Sequence, residues 1–205
     1  MPLLLTEKIS GSQDLFIWHL TEDEHTLLRS ANLTASEIAG FDSITLEKRR
    51  REWLGTRLLL KHALPGYSLS FLPNGKPVLD NRRHLSISHN GDLAGLVVST
   101  HPVGLDIQDV NQKLMVISRR FCSEVELNDA SGSTNVLEYI TVLWCVKEAV
   151  FKCFGERVDF DKHIRVLPFG LSDEFIYADY NGVHGSVAFI LRHLVVNNMH
   201  VLITL

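Results

Sequence analysis

The chain is short of the features that would mark it as secreted, membrane-bound or nucleic-acid-binding. Its 205 residues hold three cysteines, Cys122, Cys145 and Cys153, and no two of them form a Cys-x-x-Cys pair. So sparse and odd a set of thiols disfavours a disulfide framework or a cysteine-based zinc site, and it fits a reducing compartment. A cytoplasmic location is therefore expected. No apolar run approaches the length that crosses a bilayer, so no membrane partner is expected. Met1-Pro2-Leu3-Leu4-Leu5 is too short for the apolar core of a secretion signal, and Glu7 soon interrupts it.

Positive charge is not in surplus either. The formal net charge is −4, which argues against a general nucleic-acid binder, although Lys48-Arg49-Arg50-Arg51 is a local basic run. The ten histidines include no His-x-x-x-His pair that would suit a metal on one helix face. There is no Gly-x-x-x-x-Gly-Lys-Ser/Thr loop for a nucleotide, and Cys145 and Cys153 lie in no thiol-hydrolase signature. What is present is a hydrophobic share of 45% with 21% charged residues, the balance of a folded globular protein. The length allows one domain or two small ones.

The pattern of elements predicts an α+β chain. A strand is expected over Leu15–Leu20, and Thr21-x-x-Glu24 and Thr34-x-x-Glu37 each have the spacing of a capping box, the second helix ending at Gly40. A long helix is expected from about Thr45 to Leu64, before Pro65-Gly66. Strands follow over Tyr67–Leu72, His84–Ser88, Leu93–Ser99 and Val103–Gln108, with an Asn90-Gly91 hairpin turn between the second and third. Then come a helix around Leu114–Phe121, a capping signal at Ser123-x-x-Glu126, and a polar loop over Asn128–Asn135. A helix over Val136–Phe154 is stopped by Gly155, and strands over Phe175–Tyr180, Ser186–Leu191 and His200–Leu205 finish the chain.

Three segments carry chemistry. In Trp144-Cys145-Val146-Lys147-Glu148-Ala149-Val150-Phe151-Lys152, the residues Val142, Val146, Ala149, Val150 and Cys153 form an apolar helix face. Trp144, Lys147, Glu148, Phe151 and Lys152 are expected on the neighbouring face. Glu148 and Lys152 are four apart, which suits a surface pair as well as a shared ligand. In Val103-Gly104-Leu105-Asp106-Ile107-Gln108-Asp109, the strand period puts Asp106 and Gln108 on one face, and two side-chain oxygens there suit a hard cation. Asn74-Gly75-Lys76-Pro77 is a turn carrying a lysine, and Leu85-Ser86-Ile87-Ser88-His89-Asn90-Gly91 is a strand entering a turn. A strand carboxylate, a helix glutamate and neighbouring bases together suggest metal-assisted phosphate chemistry.

In order, Gly-Lys-Pro, Ser-Ile-Ser-His, Gly-Leu-Asp-Ile and Trp-x-x-Lys-Glu-Ala-x-x-Lys resemble the 4′-phosphopantetheinyl transferases, and in particular their surfactin-synthetase-activating branch. The resemblance covers about Arg51 to Lys152. It implies two pseudo-symmetric α+β halves, residues 1–102 and 103–205, with the active site between them and the metal-site motifs in the second half. It implies an enzyme that moves the phosphopantetheine arm of coenzyme A to a serine of an apo acyl or peptidyl carrier protein, in fatty-acid, polyketide or nonribosomal-peptide synthesis. The chain would act as a monomer and need Mg²⁺, with Mn²⁺ left open.

The same resemblance assigns residues. Asp106 and Glu148 match the metal ligands, and Asp106, Glu148 and Lys152 the catalytic group, with Lys152 near the pyrophosphate. Lys76, Ser88, His89 and Arg51 match coenzyme A contacts, Lys147 is a neighbouring candidate, and Glu126 matches an acidic position that also fits the Ser123 capping box. Many relatives have a carboxylate where Gln108 stands; its amide oxygen can still meet a cation but brings no charge. The competing reading is a coenzyme A or carrier-protein binding module whose metal site is weakened at Gln108.

Overall fold

The computed structural model describes residues 3–66, 69–71, 76–79, 83–155, 158–182 and 185–205. The chain opens with β1 (Leu3–Ser10) and β2 (Gln13–His19), followed by the helices α1 (Glu24–Ala31), α2 (Ala35–Asp42) and α3 (Glu47–Ala63). A short hairpin, β3 (Leu69–Phe71) and β4 (Pro77–Leu79), leads to β5 (His84–Asn90) and β6 (Leu93–Ser99). β1, β2, β6 and β5 make one antiparallel sheet in that spatial order. α3 lies on this sheet, and Leu54, Leu58 and Leu59 meet Trp18, Leu85, Leu96 and Val98 in one core.

The second part begins with β7 (Leu105–Asp109), then α4 (Gln112–Ile117), a 3-10 turn over Ser118–Arg120, and α5 (Glu124–Ser131). The long helix α6 (Val136–Phe154) follows, then α7 (Phe160–His163), β8 (Ile164–Val166), β9 (Phe175–Gly182), β10 (Gly185–Val196) and β11 (Met199–Thr204). These strands form a five-stranded sheet in the order β7, β11, β10, β9, β8. α6 buries Val142, Val146, Ala149 and Val150 against Ile176, Leu191 and Leu202 of that sheet. A third core packs Leu15, Ile17 and Val97 against Leu105, Ile107 and Val201, so the two sheets share an apolar layer. β6 is consequently buried along its whole length, which is why it reads as a continuous apolar run.

Where the two sheets meet, side chains replace a backbone ladder. The Leu105 N–H donates to Ser86 Oγ at 3.0 Å and the Ile107 N–H donates to Ser88 Oγ at 3.1 Å. Two serines spaced by the strand period thus serve as acceptors for alternate N–H groups of β7. Gly104 allows α6 to come close: a Cβ there would stand 1.8 Å from the Ala149 carbonyl oxygen. Gly-Leu-Asp-Ile therefore opens with glycine for a packing reason, and Asp106 is pressed against the motif helix.

Several expectations shift in detail. The first helix is capped by Asp23, whose carboxylate accepts from the Thr26 N–H at 2.7 Å, and not by Thr21. The Thr34 and Ser123 capping boxes form as read, but α2 runs past Gly40 to Asp42, and α5 takes up residues 128–131 of the expected loop. The β5–β6 hairpin exists with its turn one residue later, at Gly91-Asp92, since Asn90 is paired with Leu93. Gly91 has φ +55°, the left-handed conformation that glycine supplies at the first turn position. α6 spans Val136–Phe154 with Gly155 left-handed at φ +72°, in agreement with the sequence. β1, α7 and β8 had no strong signal of their own. Asn74, Gly75, Tyr67, Ser68 and Leu72, which belong to the expected turn and strand before β4, lie outside the described residues.

Candidate active site

Asp106 is the centre of the arrangement. It is 6% exposed on β7, facing α6. Its Oδ1 accepts from Lys152 Nζ at 2.7 Å and from the Ser88 hydroxyl at 2.9 Å. Its Oδ2 is buried and meets no hydrogen-bonding nitrogen or oxygen among the described residues, with the Cys145 thiol its neighbour. A buried carboxylate oxygen beside so weak a donor suits a cation. Lys152 also donates to Ser88 Oγ at 3.1 Å and to the Leu105 carbonyl at 3.0 Å. Ser88 is therefore fully engaged in placing Asp106 and Lys152, a narrower task than the free hydroxyl expected of it.

Glu148 lies on the half-buried flank of α6. Burial, and then the charge of Asp106, push its carboxyl up to about 7, with Lys152 pulling the other way. Gln108 turns its amide nitrogen to Asp109, donating to Oδ1 at 3.1 Å, and Asn90 donates to the same oxygen at 3.1 Å. Among the described residues no three His, Cys, Asp or Glu side chains group closely enough to hold a metal by themselves. The available donors are Asp106 and Glu148, with Gln108 at the strand end.

Two cavities flank this centre, and Phe151 and Gly155 line both. The first, of about 580 Å³, runs between α3, β5 and the end of α6. Arg49, Arg57, Lys76, His89 and Lys152 line it, with Glu52 the one carboxylate among the described wall residues. Such a surplus of cations, with Trp53 and Ile87 beside them, suits an anionic ligand that has flat apolar parts. His89 Nδ1 is 3.4 Å from Glu52. Burial lowers its pKa first, Glu52 opposes this, and Arg49 and Lys152 add to the lowering. Lys76 Nζ donates to the Cys153 carbonyl at 2.9 Å, where a cation also meets the negative end of α6. The second cavity, of about 1080 Å³, is lined by Glu148, Trp144, Phe121, Phe160, Arg120 and neighbours.

Two expected contacts fall elsewhere. Lys147 is fully buried, donating to Glu126 Oε2 at 2.8 Å, the Phe160 carbonyl at 2.9 Å and the Ile164 carbonyl at 2.7 Å. It reaches neither cavity, because its place on the helix turns it into the core beside α5. Glu126 completes the Ser123 capping box and accepts from the Val166 N–H at 2.9 Å. Arg51 donates to the Leu20 carbonyl at 2.7 Å and lines a separate cleft with Asp92. The face of α3 that does reach the main cavity carries Arg49, Glu52, Trp53, Thr56 and Arg57. Their three-and-four spacing was a usable signal, and the resemblance to Arg51 drew attention one position away.

The model of the 4′-phosphopantetheinyl transferase superfamily matches residues 102–186. The 4′-phosphopantetheinyl transferase gsp of Aneurinibacillus migulanus is 28% identical over 55% of this chain and 52% of its own length. The 4′-phosphopantetheinyl transferase psf-1 of Bacillus pumilus is 32% identical over 54% of this chain and 52% of its own. The 4′-phosphopantetheinyl transferase Sfp of Bacillus subtilis (strain 168) is 30% identical over 40% of this chain and 38% of its own. The matched stretch thus spans about half the length of the first two relatives, at 52% in each. With its four motifs in order and these matches, the chain is similar to the 4′-phosphopantetheinyl transferases over part of its length.

Proposed function

We propose that this protein transfers the 4′-phosphopantetheine group of coenzyme A to a serine of an apo acyl or peptidyl carrier protein. The observation that carries the reading is Asp106, buried and paired through Oδ1 with Lys152, which lines the cation-rich cavity. In the reaction the serine oxygen bonds to phosphorus of the pyrophosphate, the serine proton leaves, and the bond to the departing phosphate breaks. The products are a phosphodiester-linked arm and adenosine 3′,5′-bisphosphate.

The chain's own residues divide the work by position. Lys76, His89, Arg49 and Arg57 hold the phosphates of the nucleotide end, and Trp53 and Ile87 give apolar contact. Lys152 neutralises charge at the pyrophosphate. Glu148 is the carboxylate that would accept the serine proton, directly or through water. Asp106 and Glu148 are the carboxylates that would hold Mg²⁺ or Mn²⁺, with the Gln108 amide as a neutral neighbour. Such a cation supplies charge that eases attack on an anionic centre.

The same reading gives two α+β halves, residues 1–102 and 103–205, related by pseudo-symmetry, with the site between. It is supported by the like roles of α3 and α6, each laid on one sheet. Because one chain furnishes both walls, a monomer suffices. Three buried free thiols favour the cytoplasm, and no helix among the described residues is long and apolar enough to cross a membrane. The test is the mass of a purified apo carrier protein after incubation with this protein, coenzyme A and Mg²⁺. A gain of one phosphopantetheine is expected; no gain across a panel of acyl and peptidyl carriers that a control enzyme modifies would refute the reading.

A further inference from the structure

A row of hydrogen bonds runs from the turn before β9 to the first turn of α6, away from the two cavities. His193 of β10 and His200 of β11 are 5% and 2% exposed, and His193 Nε2 lies 3.0 Å from His200 Nδ1. His193 Nδ1 is 3.0 Å from the Asp173 carbonyl, which can only accept, so that nitrogen carries a proton. In a neutral ring the other nitrogen is then a lone pair, so His193 Nε2 accepts from the Nδ1–H of His200. His200 Nε2 is left with a lone pair in its turn. It faces Glu138 Oε1 at 3.5 Å, while Asn135 donates to Glu138 Oε2 at 2.8 Å and holds the carboxylate in place. Acceptor meets acceptor there, and what would join them is one proton.

We infer that His193 and His200 form a one-proton clasp: a proton entering between His200 Nε2 and Glu138 ties β10, β11 and the start of α6 together, and a second proton breaks the tie. The second has no place, because His193 Nε2 and His200 Nδ1 share a single hydrogen. Among the described residues the charged groups facing the pair are Glu138 from α6 and Asp173 from the turn before β9. Cys145 of α6, whose thiol is 3.7 Å from the His200 carbonyl, and Gln108, opposite His200 on β7, are neutral. Burial holds both imidazoles below the ordinary 6.5, and Glu138 opposes it in each. The unfolded chain therefore takes up these protons first, so stability is lost as pH falls below about 6.5. Glu138 limits that loss by making room for one proton of the two. The inference does not depend on the transferase reading.

The experiment is a pH titration of the nitrogen-15-labelled full chain, read by long-range proton–nitrogen NMR of its imidazoles, beside the Glu138→Gln variant. At neutral pH both His193 and His200 should carry their proton on Nδ1. As pH falls, His200 Nε2 should gain a proton while the two rings stay bridged. Glu138→Gln keeps an oxygen for Asn135 but loses the charge, so that step should move down by roughly one pH unit. Urea unfolding should then show the variant losing more stability than the parent between about pH 7.5 and about pH 5.5. A proton on His200 Nε2 in the neutral ring would reverse the row of bonds and overturn the inference, and this reading needs no variant. A His200 titration that is the same in parent and Glu138→Gln would overturn it too, since no proton would then be shared with the carboxylate.

Discussion

Two lysines of α6 each pair with a carboxylate from another element, Glu126 of α5 and Asp106 of β7, and the two pairs do opposite things. Lys147 and Glu126 are 2.8 Å apart with side chains 0% and 2% exposed, and every donor of the lysine has an acceptor. Lys152 and Asp106 are 2.7 Å apart with side chains 25% and 8% exposed, and the second oxygen of Asp106 meets no hydrogen-bonding nitrogen or oxygen among the described residues. The first pair is closed: it ties α6 to α5, α7 and β8 and has nothing left to offer a ligand. The second is open, at the edge of a cavity. A motif written as Lys-Glu-Ala-x-x-Lys therefore mixes fold and chemistry, and only the environment of each residue separates the two.

The largest expected effect is on the closed pair. Lys147→Ala leaves Glu126 buried without its cation and should cost about 3–5 kcal/mol of stability, measured by urea unfolding. A double variant, Lys147→Met with Glu126→Gln, should recover part of that loss because no bare charge remains. A loss under about 1 kcal/mol for Lys147→Ala would show that the pair behaves as a surface bridge, and the contrast would collapse.

Asp106→Asn should do the reverse. It keeps shape and hydrogen bonds but removes the charge, so turnover should fall by more than roughly a hundredfold while the unfolding midpoint hardly moves. Near-normal turnover at limiting Mg²⁺ in a folded variant would remove Asp106 from the site.

Within the open region, Lys152 and Lys76 should separate. Lys152→Ala should lower kcat by roughly tenfold or more, since it touches Asp106, whereas Lys76→Ala should mainly weaken coenzyme A binding. Equal loss of affinity with kcat unchanged in both would mean that both lysines serve the nucleotide end alone.

How much of this was legible follows the same division. α6 was readable to the residue, because Asn135, the apolar stripe and Gly155 agree on one helix. Asp106 and Gln108 could be placed on one strand face from the period alone. The direction of Lys147 could not: its face of the helix is filled by α5 and β8, and no local signal in the sequence says that those elements cover it. β1 alternates half-buried and exposed positions, but Leu4 on its exposed side and Glu7 on its inner side blur that period in the sequence, and β8 is three residues long. The cavity wall on α3 was hidden for a different reason, since Arg49, Arg50 and Arg51 are equivalent as letters and differ only in where the helix turns them.

Glu148 gives a smaller effect whose sign is fixed. Its carboxyl is raised from 4.5 to about 7 in the folded state. The folded protein therefore binds more protons than the unfolded chain between those values, and stability falls as pH rises through that window. In chelator, Glu148→Gln should become more stable relative to the parent as pH goes from about 5 to about 8, read as melting temperature. A difference that does not change with pH would place Glu148 in water, away from Asp106.

Gln108 should give the smallest change and the finest test of the open region. Its amide nitrogen is held by Asp109 at 3.1 Å, and Asn90 holds the same carboxylate from the other side. Gln108→Glu removes that donor and puts a second negative group beside Asp109, on the strand face it shares with Asp106. Without metal the added repulsion should lower the melting temperature slightly. With metal the same charge should lower the Mg²⁺ concentration for half-maximal activity a few-fold, because a hard cation gains from each carboxylate near it. Gln108→Leu separates placement from charge: losing the amide should release Asp109 and raise the Mg²⁺ requirement. If the melting temperature falls in Gln108→Glu while the Mg²⁺ dependence of both variants stays that of the parent, Gln108 belongs with the closed region. Its amide would then fasten the end of β7, and the cation would rest on Asp106, Glu148 and the ligand's own phosphates.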